Sequence, residues 1–288
     1  MVGRGELTDR AWAVIEPLLP PVSGGGRRWR DHRQVINAIL WKLRTGAPWR
    51  DQPERYGLWE TAHERLRLWT KNGTWDKILD HVIVKDDAVG DPEWVVSVDS
   101  SVVRAHRHSA GARKKRGCSD EVEAIVVDGE ELGRSRGGLS TKIHLAVDGR
   151  GLPMRFLLTA GQAGDIPQLV PLLNGISIAR LRAGRPRSRP DAVIADKAYS
   201  LPSTREAMRR RINFVSPRRH DQIARRTAKG SRGGRPPTFD PEAYKQRNVV
   251  KRCFNRLKQF RDLATRYAKR AACYQAELTI AAIVLWLR

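Results

Sequence analysis

The chain has 288 residues, with 54 Lys and Arg against 31 Asp and Glu, a formal net charge of +23. Such an excess cannot be neutralised internally, so it calls for a polyanionic partner, most often nucleic acid. A hydrophobic fraction of 40% is too high for a disordered basic tail. The longest apolar stretch, Leu278 to Leu287, is about half of a membrane span, and no apolar leader follows Met1. Membrane, secreted and collagen-like classes drop out. Cys118, Cys253 and Cys273 are scattered without a CxxC pair, which argues against a disulfide framework or structural zinc and fits a reducing cytoplasm.

Seven of the nine tryptophans, Trp12, Trp29, Trp41, Trp49, Trp59, Trp69 and Trp75, crowd the start of the chain. This sets residues 1–88 apart as a small all-helical domain. Thr8 is positioned to cap a first helix that turns Trp12, Ile15 and Leu19 inward and stops at Pro20-Pro21. Asp31 opens a second, with Val35, Ile36, Ile39, Leu40 and Leu43 at helical spacing and Gly46 then Pro48 closing it. Leu58 to Lys71 and Trp75 to Val84 supply two more amphipathic segments. A helix, a Gly/Pro turn and a helix bearing Arg65 and Arg67 resemble a helix-turn-helix that would bind DNA. The same pattern also describes a bundle that merely packs on the main domain.

From residue 92 to 288 the period changes. Trp94 to Val103, Thr141 to Val147 and Met154 to Thr159 read as three strands, the last two joined through Asp148-Gly149. Asp165 is placed to cap a helix through Leu172; Ala192 to Asp196 is a short strand, Thr204 to Arg211 a helix and Ile212 to Val215 another strand. A long helix from Pro241 and an apolar carboxy-terminal helix follow. This is a mixed α/β layout, a sheet flanked by helices. Residues 113–138 and 217–238 read as basic loops. Arg205 to Arg235 holds eleven Lys/Arg and two acids, a density suited to a phosphate backbone.

Two acids are hard to explain as surface residues. Asp99 lies in Val-Val-Ser-Val-Asp-Ser-Ser-Val-Val and Asp196 ends Ala-Val-Ile-Ala-Asp. A carboxylate in a buried strand is costly unless it is paired or binds a cation. Both suit a divalent ion; both also suit a buried ion pair, Asp196 with Lys197.

The segments Val-Asp-Ser-Ser-Val-Val-Arg-Ala-His, Gly-Gly-Leu-Ser-Thr-Lys-Ile-His, Ala-Asp-Lys-Ala-Tyr-Ser and Tyr-Lys-Gln-Arg-Asn-Val-Val occur in that order. With Leu-Trp-Lys-Leu-Arg-Thr-Gly-Ala-Pro-Trp-Arg-Asp near the start, the chain from Leu7 onward closely resembles bacterial insertion-sequence transposases of the DDE class, in the group named for insertion sequence five. The resemblance implies an RNase H-like fold and metal-dependent cleavage and transfer of DNA strands at transposon ends. It also implies a homodimer on double-stranded DNA, near the nucleoid. Two Asp and one Glu would hold two magnesium ions, Asp99 and Asp196 being the first two acids. Lys197, Tyr199, Tyr244, Arg247 and Lys258 fit either DNA phosphate contacts near the metals or plain surface roles.

The third acid is missing. The family's signature is Tyr-x2-Arg-x3-Glu-x6-Lys; Tyr244, Arg247 and Lys258 match it, but Lys251 stands at the glutamate position. On one continuous helix these four share a stripe of roughly 60°. Lysine has no acceptor oxygen, so metal binding should weaken, with the ammonium pairing to Asp99 or Asp196 instead. Neither Glu242, on the opposite face, nor Asp262, about 16 Å along the axis, can substitute. His106 fits either a DNA contact or an ordinary surface histidine. Two other functions stay open: an inactive protein that occupies transposon ends as a repressor, and a nuclease of RNA–DNA hybrids.

Overall fold

The computed structural model describes residues 3, 5–21, 29–87, 94–110, 130–135, 137–179, 184–208 and 212–288. Four helices come first: α1 (Asp9–Ile15), α2 (His32–Thr45), α3 (Trp59–Lys71) and α4 (Thr74–Asp87). The expected caps form. Thr8 accepts from the Ala11 amide, Asp31 accepts from the Arg33 amide, and Gly46 ends α2 at φ 68°. A Cβ at Gly46 would sit 3.3 Å from the Arg261 Cβ and 3.4 Å from the Asp262 amide, in a left-handed backbone besides. Gly46→Ala should therefore cost about 1–3 kcal/mol, read as a lower urea midpoint with an unchanged slope.

The sheet follows. β1 (Val95–Ala105), β2 (Gly133–Ser135), β3 (Gly138–Val147) and β4 (Pro153–Ala160) come before α5 (Ile166–Asn174). Next come β5 (Ala192–Ile194), α6 (Pro202–Met208), β6 (Asn213–Val215), α7 (His220–Ala228), α8 (Pro241–Lys245), α9 (Asn248–Lys258), α10 (Arg261–Ala264), β7 (Thr265–Arg266) and α11 (Ala271–Trp286). β3 runs antiparallel to β1 and to β4, whereas β5 lies parallel to β1 and β6 parallel to β5. The order β4-β3-β1-β5-β6, an antiparallel meander continued by parallel strands, is the RNase H-like arrangement. β2 extends the meander beside the start of β3, and β7 pairs with Arg104 and Ala105 at the end of β1.

The amino-terminal helices share a core with the sheet's helical cover. α4 packs on α11, α2 on α10, and α11 in turn on β4. Trp69 and Trp75 meet edge to face within this core, their ring centroids 5.3 Å apart. Lys42 of α2 reaches the buried carboxylates of Asp262 on α10 and Glu277 on α11.

Several expectations need correction. The 217–238 stretch is not all loop, since α7 lies inside it; His220, Gln222 and Ile223 begin a regular turn despite the surrounding charge. Of 113–138, residues 113–129 lie outside the described residues, and Gly133–Ser135 is a strand. Asp165 precedes α5 but makes no capping bond. Its carboxylate accepts from Ser100 Oγ at 2.8 Å and from Lys142 Nζ at 3.0 Å. The long helix from Pro241 is broken at Gln246-Arg247, where Gln246 and Arg247 amides donate three residues back and tighten the turn.

Candidate active site

Asp99 sits in β1 beside Leu145 of β3, and Asp196 lies two residues past the end of β5, the parallel neighbour of β1. Adjacent parallel strands thus bring together two acids almost one hundred residues apart in the chain. Each carboxylate is partly oriented by backbone: Asp99 Oδ1 accepts from the Ser100 amide at 2.9 Å, and Asp196 Oδ1 from the Ala198 amide at 2.6 Å. Burial raises the Asp99 pKa, against the lowering effects of the Ser100 amide and the Arg247 charge.

Arg247, at the break before α9, closes the pair. Its Nη2 lies 3.6 Å from Asp99 Oδ2 and 3.4 Å from Asp196 Oδ2, so one guanidinium spans both acids. α9 itself packs across β1 and β3. It does so because Val250, Cys253 and Leu257 recur at helical spacing and are all buried. Burial pushes the Cys253 thiol up to about 12, as suits a core residue.

Lys251 follows Arg247 by one turn and is exposed. It makes no ion pair with either acid; its charge is among those that lower the Asp99 pKa. The expected partner of the aspartates was this lysine, and the correction is that Arg247 takes the role. Arg247, at the break, is half-buried, whereas Lys251 is exposed on α9. Glu242 is turned away to Lys245, 2.8 Å distant, and Asp262 is buried against Lys42. Among the described residues, no group of three or more His, Cys, Asp or Glu could hold a metal ion. Two acids already bridged by a guanidinium do not fit a two-ion centre, which needs more oxygen ligands and no cation between them.

The other predicted residues divide into two groups. Tyr244 is half-buried with the Arg247 guanidinium 5.9 Å above its ring, while Lys197, Lys258 and Arg67 are exposed. Two side chains assigned to a phosphate-facing surface are buried instead. Arg65 stacks its guanidinium 3.4 Å over the Trp29 ring, on the inner side of α3 where Ala62, Leu66 and Trp69 also lie. Tyr199 is buried behind the aspartates, and desolvation raises its phenol pKa, followed in effect by Asp165, Asp99 and Asp196.

Sequence reading missed the polar cluster on the reverse side of β1. Strand alternation turns Ser100 away from Asp99, toward Asp165, Lys142 and His144. His144 is buried, donates to or accepts from Thr159 Oγ1 at 2.9 Å, and has its pKa lowered to about 4 by desolvation. The pairing Ser100↔His144 that brings the cluster together is a matter of strand register, which the sequence does not state.

The RNase H-like sheet carries one aspartate in β1 and a second just beyond the end of its parallel neighbour β5. Residues 7–79 match the family described as "Putative transposase of IS4/5 family" and residues 90–287 the family described as "Transposase DDE domain". The second match spans more than half of the chain, which therefore belongs to the DDE transposase family. Among its relatives is the "Putative transposase for insertion sequence element IS402" of Burkholderia cepacia, 31% identical over 172 residues, covering 56% of this chain and 74% of that one. Another is the "Putative transposase for insertion sequence element IS6501" of Brucella ovis, 31% identical over 150 residues, covering 52% of this chain and 100% of that one. Among solved structures, a pre-cleavage Mos1 transpososome aligns over 85% of this chain and 81% of its own at 9% identity, with a TM-score of 0.26. So loose a superposition adds nothing to what the strand order establishes. Domains of this family generally use divalent metal ions. Among the described residues, no helix is long and apolar enough to cross a membrane.

Proposed function

We propose that this chain binds the terminal repeats of an insertion sequence, and that strand cleavage is impaired because Lys251 replaces the third acid. The observation that carries this reading is the Arg247 guanidinium spanning Asp99 and Asp196, with no metal-holding group of three among the described residues. In this reading Asp99 and Asp196 are the remaining acids of the catalytic centre. Residues 1–88 serve as the end-binding domain, and residues 92–288 as the domain built for strand chemistry. Exposed Arg67, Lys197 and Lys258, with Tyr244 beside Arg247, follow the phosphate backbone. Handling two ends together calls for a homodimer on the DNA.

With Arg247 neutralising part of the acidic charge, DNA binding needs no divalent ion. This favours a repressor of active copies as a second reading, since such a protein need only occupy the ends. The test is fluorescence anisotropy with the terminal repeats flanking its coding region, against unrelated duplex. Expected are preference for the repeats, full retention in EDTA, and a loss of roughly a thousandfold in affinity between 50 and 200 mM salt if about six phosphates are contacted. Binding that is equal for both duplexes, or that requires magnesium, would refute the reading.

A further inference from the structure

The end of β1 carries a feature that neither strand cleavage nor duplex binding uses. The His106 and His108 rings meet edge to face with centroids 4.4 Å apart, and the Tyr267 ring lies 5.1 Å from His106 at 34°. Tyr267 is 40% exposed and is one of the few large hydrophobic side chains left open to solvent. His108 is exposed as well, and exposed Arg104, Arg107 and Lys269 surround the rings in sequence.

The rings rest on a rigid base. The His106 amide donates to the Arg266 carbonyl at 2.9 Å, Ser109 Oγ donates to the His106 carbonyl at 2.6 Å, and the His108 amide donates to His106 Nδ1 at 3.2 Å. Arg266, next to Tyr267, is fully buried, and its guanidinium donates to Thr141 Oγ1 at 2.7 Å and to the carbonyls of Ala268, Lys269 and Glu131. The backbone that carries the rings, just past the ends of β1 and β7, is thus fixed before any ligand arrives, and the His106 ring is held through Nδ1, which lowers the ordering cost. Aromatic faces with exposed cations next to them in sequence suit a nucleobase with its phosphate, because every base has a π-face and every nucleotide a negative charge. Paired bases inside a duplex offer no free face.

We propose that His106, His108 and Tyr267 form a stacking platform for an unpaired nucleotide of the DNA that this chain binds, a role that rests on the end-binding reading above. β1 rises about 3.3 Å per residue, so the platform stands about 20 Å from Asp99. It therefore holds a base well away from the phosphate at the two acids, where a strand has left its partner.

The experiment uses two terminal-repeat oligonucleotides containing 2-aminopurine, one with the probe in a single-nucleotide bulge and one with it fully paired. The full-length chain should quench the bulged probe. Tyr267→Ser and His108→Ala should each abolish that quenching and weaken binding to the bulged DNA roughly tenfold. Their affinity for the paired duplex should stay within about twofold, and Tyr267→Phe, which keeps the ring, should behave as the parent. Equal losses for both DNAs, or quenching that survives Tyr267→Ser, would overturn the platform while leaving end binding intact. Absence of binding to either DNA by the parent chain would overturn both readings.

Discussion

Lys251→Glu is expected to confer divalent-dependent cleavage of terminal-repeat DNA, raising the strand-cleavage rate by at least about a hundredfold, the scale of losing or regaining one essential charge stabiliser at a phosphoryl-transfer centre. The position already lies one turn from Arg247 on α9, and its charge already acts on Asp99. Helix placement does not depend on the exchanged side chain, because Val250, Cys253 and Leu257 hold α9 against the sheet and Lys251 is exposed. Glutamate would exchange a cation for an oxygen ligand and draw Arg247 off the two aspartates. Calorimetric titration with magnesium or manganese supplies an independent readout. The variant should show saturable uptake that the parent lacks, and adding Asp99→Asn should remove it again. Equal cleavage by parent and variant would mean that the third acid lies elsewhere.

The position of Lys251 was legible because the residues around it keep their family spacing, so a charge reversal stood out against an intact frame. Asp99 and Asp196 were legible for a different reason. Carboxylates within or ending runs of valine, isoleucine and alanine demand a partner, and strand patterning put both runs in a sheet. What sequence did not disclose was the partner. Choosing between Arg247 and Lys251 depends on a helix break at Gln246-Arg247, and neither residue is a glycine or proline that would announce one. The same limit hid α7, whose helical periodicity is masked by a run of arginines, and β7, only two residues long. Arg65 shows the opposite error. Charge suggested a surface role, but the face of α3 on which it lies is the apolar one, and Trp29 receives its guanidinium. Periodicity outranked charge there, as it did for Asp262, which lies among apolar neighbours and finds Lys42 from a distant helix.

That ion-paired junction yields the second large effect. Lys42, Asp262 and Glu277 are all buried, at 6%, 2% and 4% exposure, and they tie α2 to α10 and α11. One ammonium faces two carboxylates, so charge balance leaves one of them protonated. Glu277 is that group: desolvation pushes its pKa up to about 8, opposed by Lys42 and assisted by Asp262, with Arg266 a smaller opposing charge. Desolvation raises the Asp262 pKa as well, held back by Lys42. Cys273 and Tyr274 on α11 stand nearby, each with its pKa also raised by burial. A carboxyl with a raised pKa keeps its proton in the folded chain after the unfolded chain has lost it. Glu277 therefore makes stability fall as pH rises from about 4.5 toward about 8, with no further contribution above that. Glu277→Gln, which mimics the protonated form, should flatten this slope and exceed the parent in stability at pH 9. Lys42→Ala should have the larger effect. It leaves the buried Asp262 carboxylate without its cation beside an already protonated Glu277, and should cost about 3–5 kcal/mol at neutral pH, the loss shrinking at pH 5 as Asp262, no longer held down by Lys42, takes up a proton. Urea midpoints at pH 5, 7 and 9 for the parent and both variants test this directly. A Lys42→Ala loss below about 1 kcal/mol, or one independent of pH, would show that water reaches the junction and that the helices are joined by apolar packing alone.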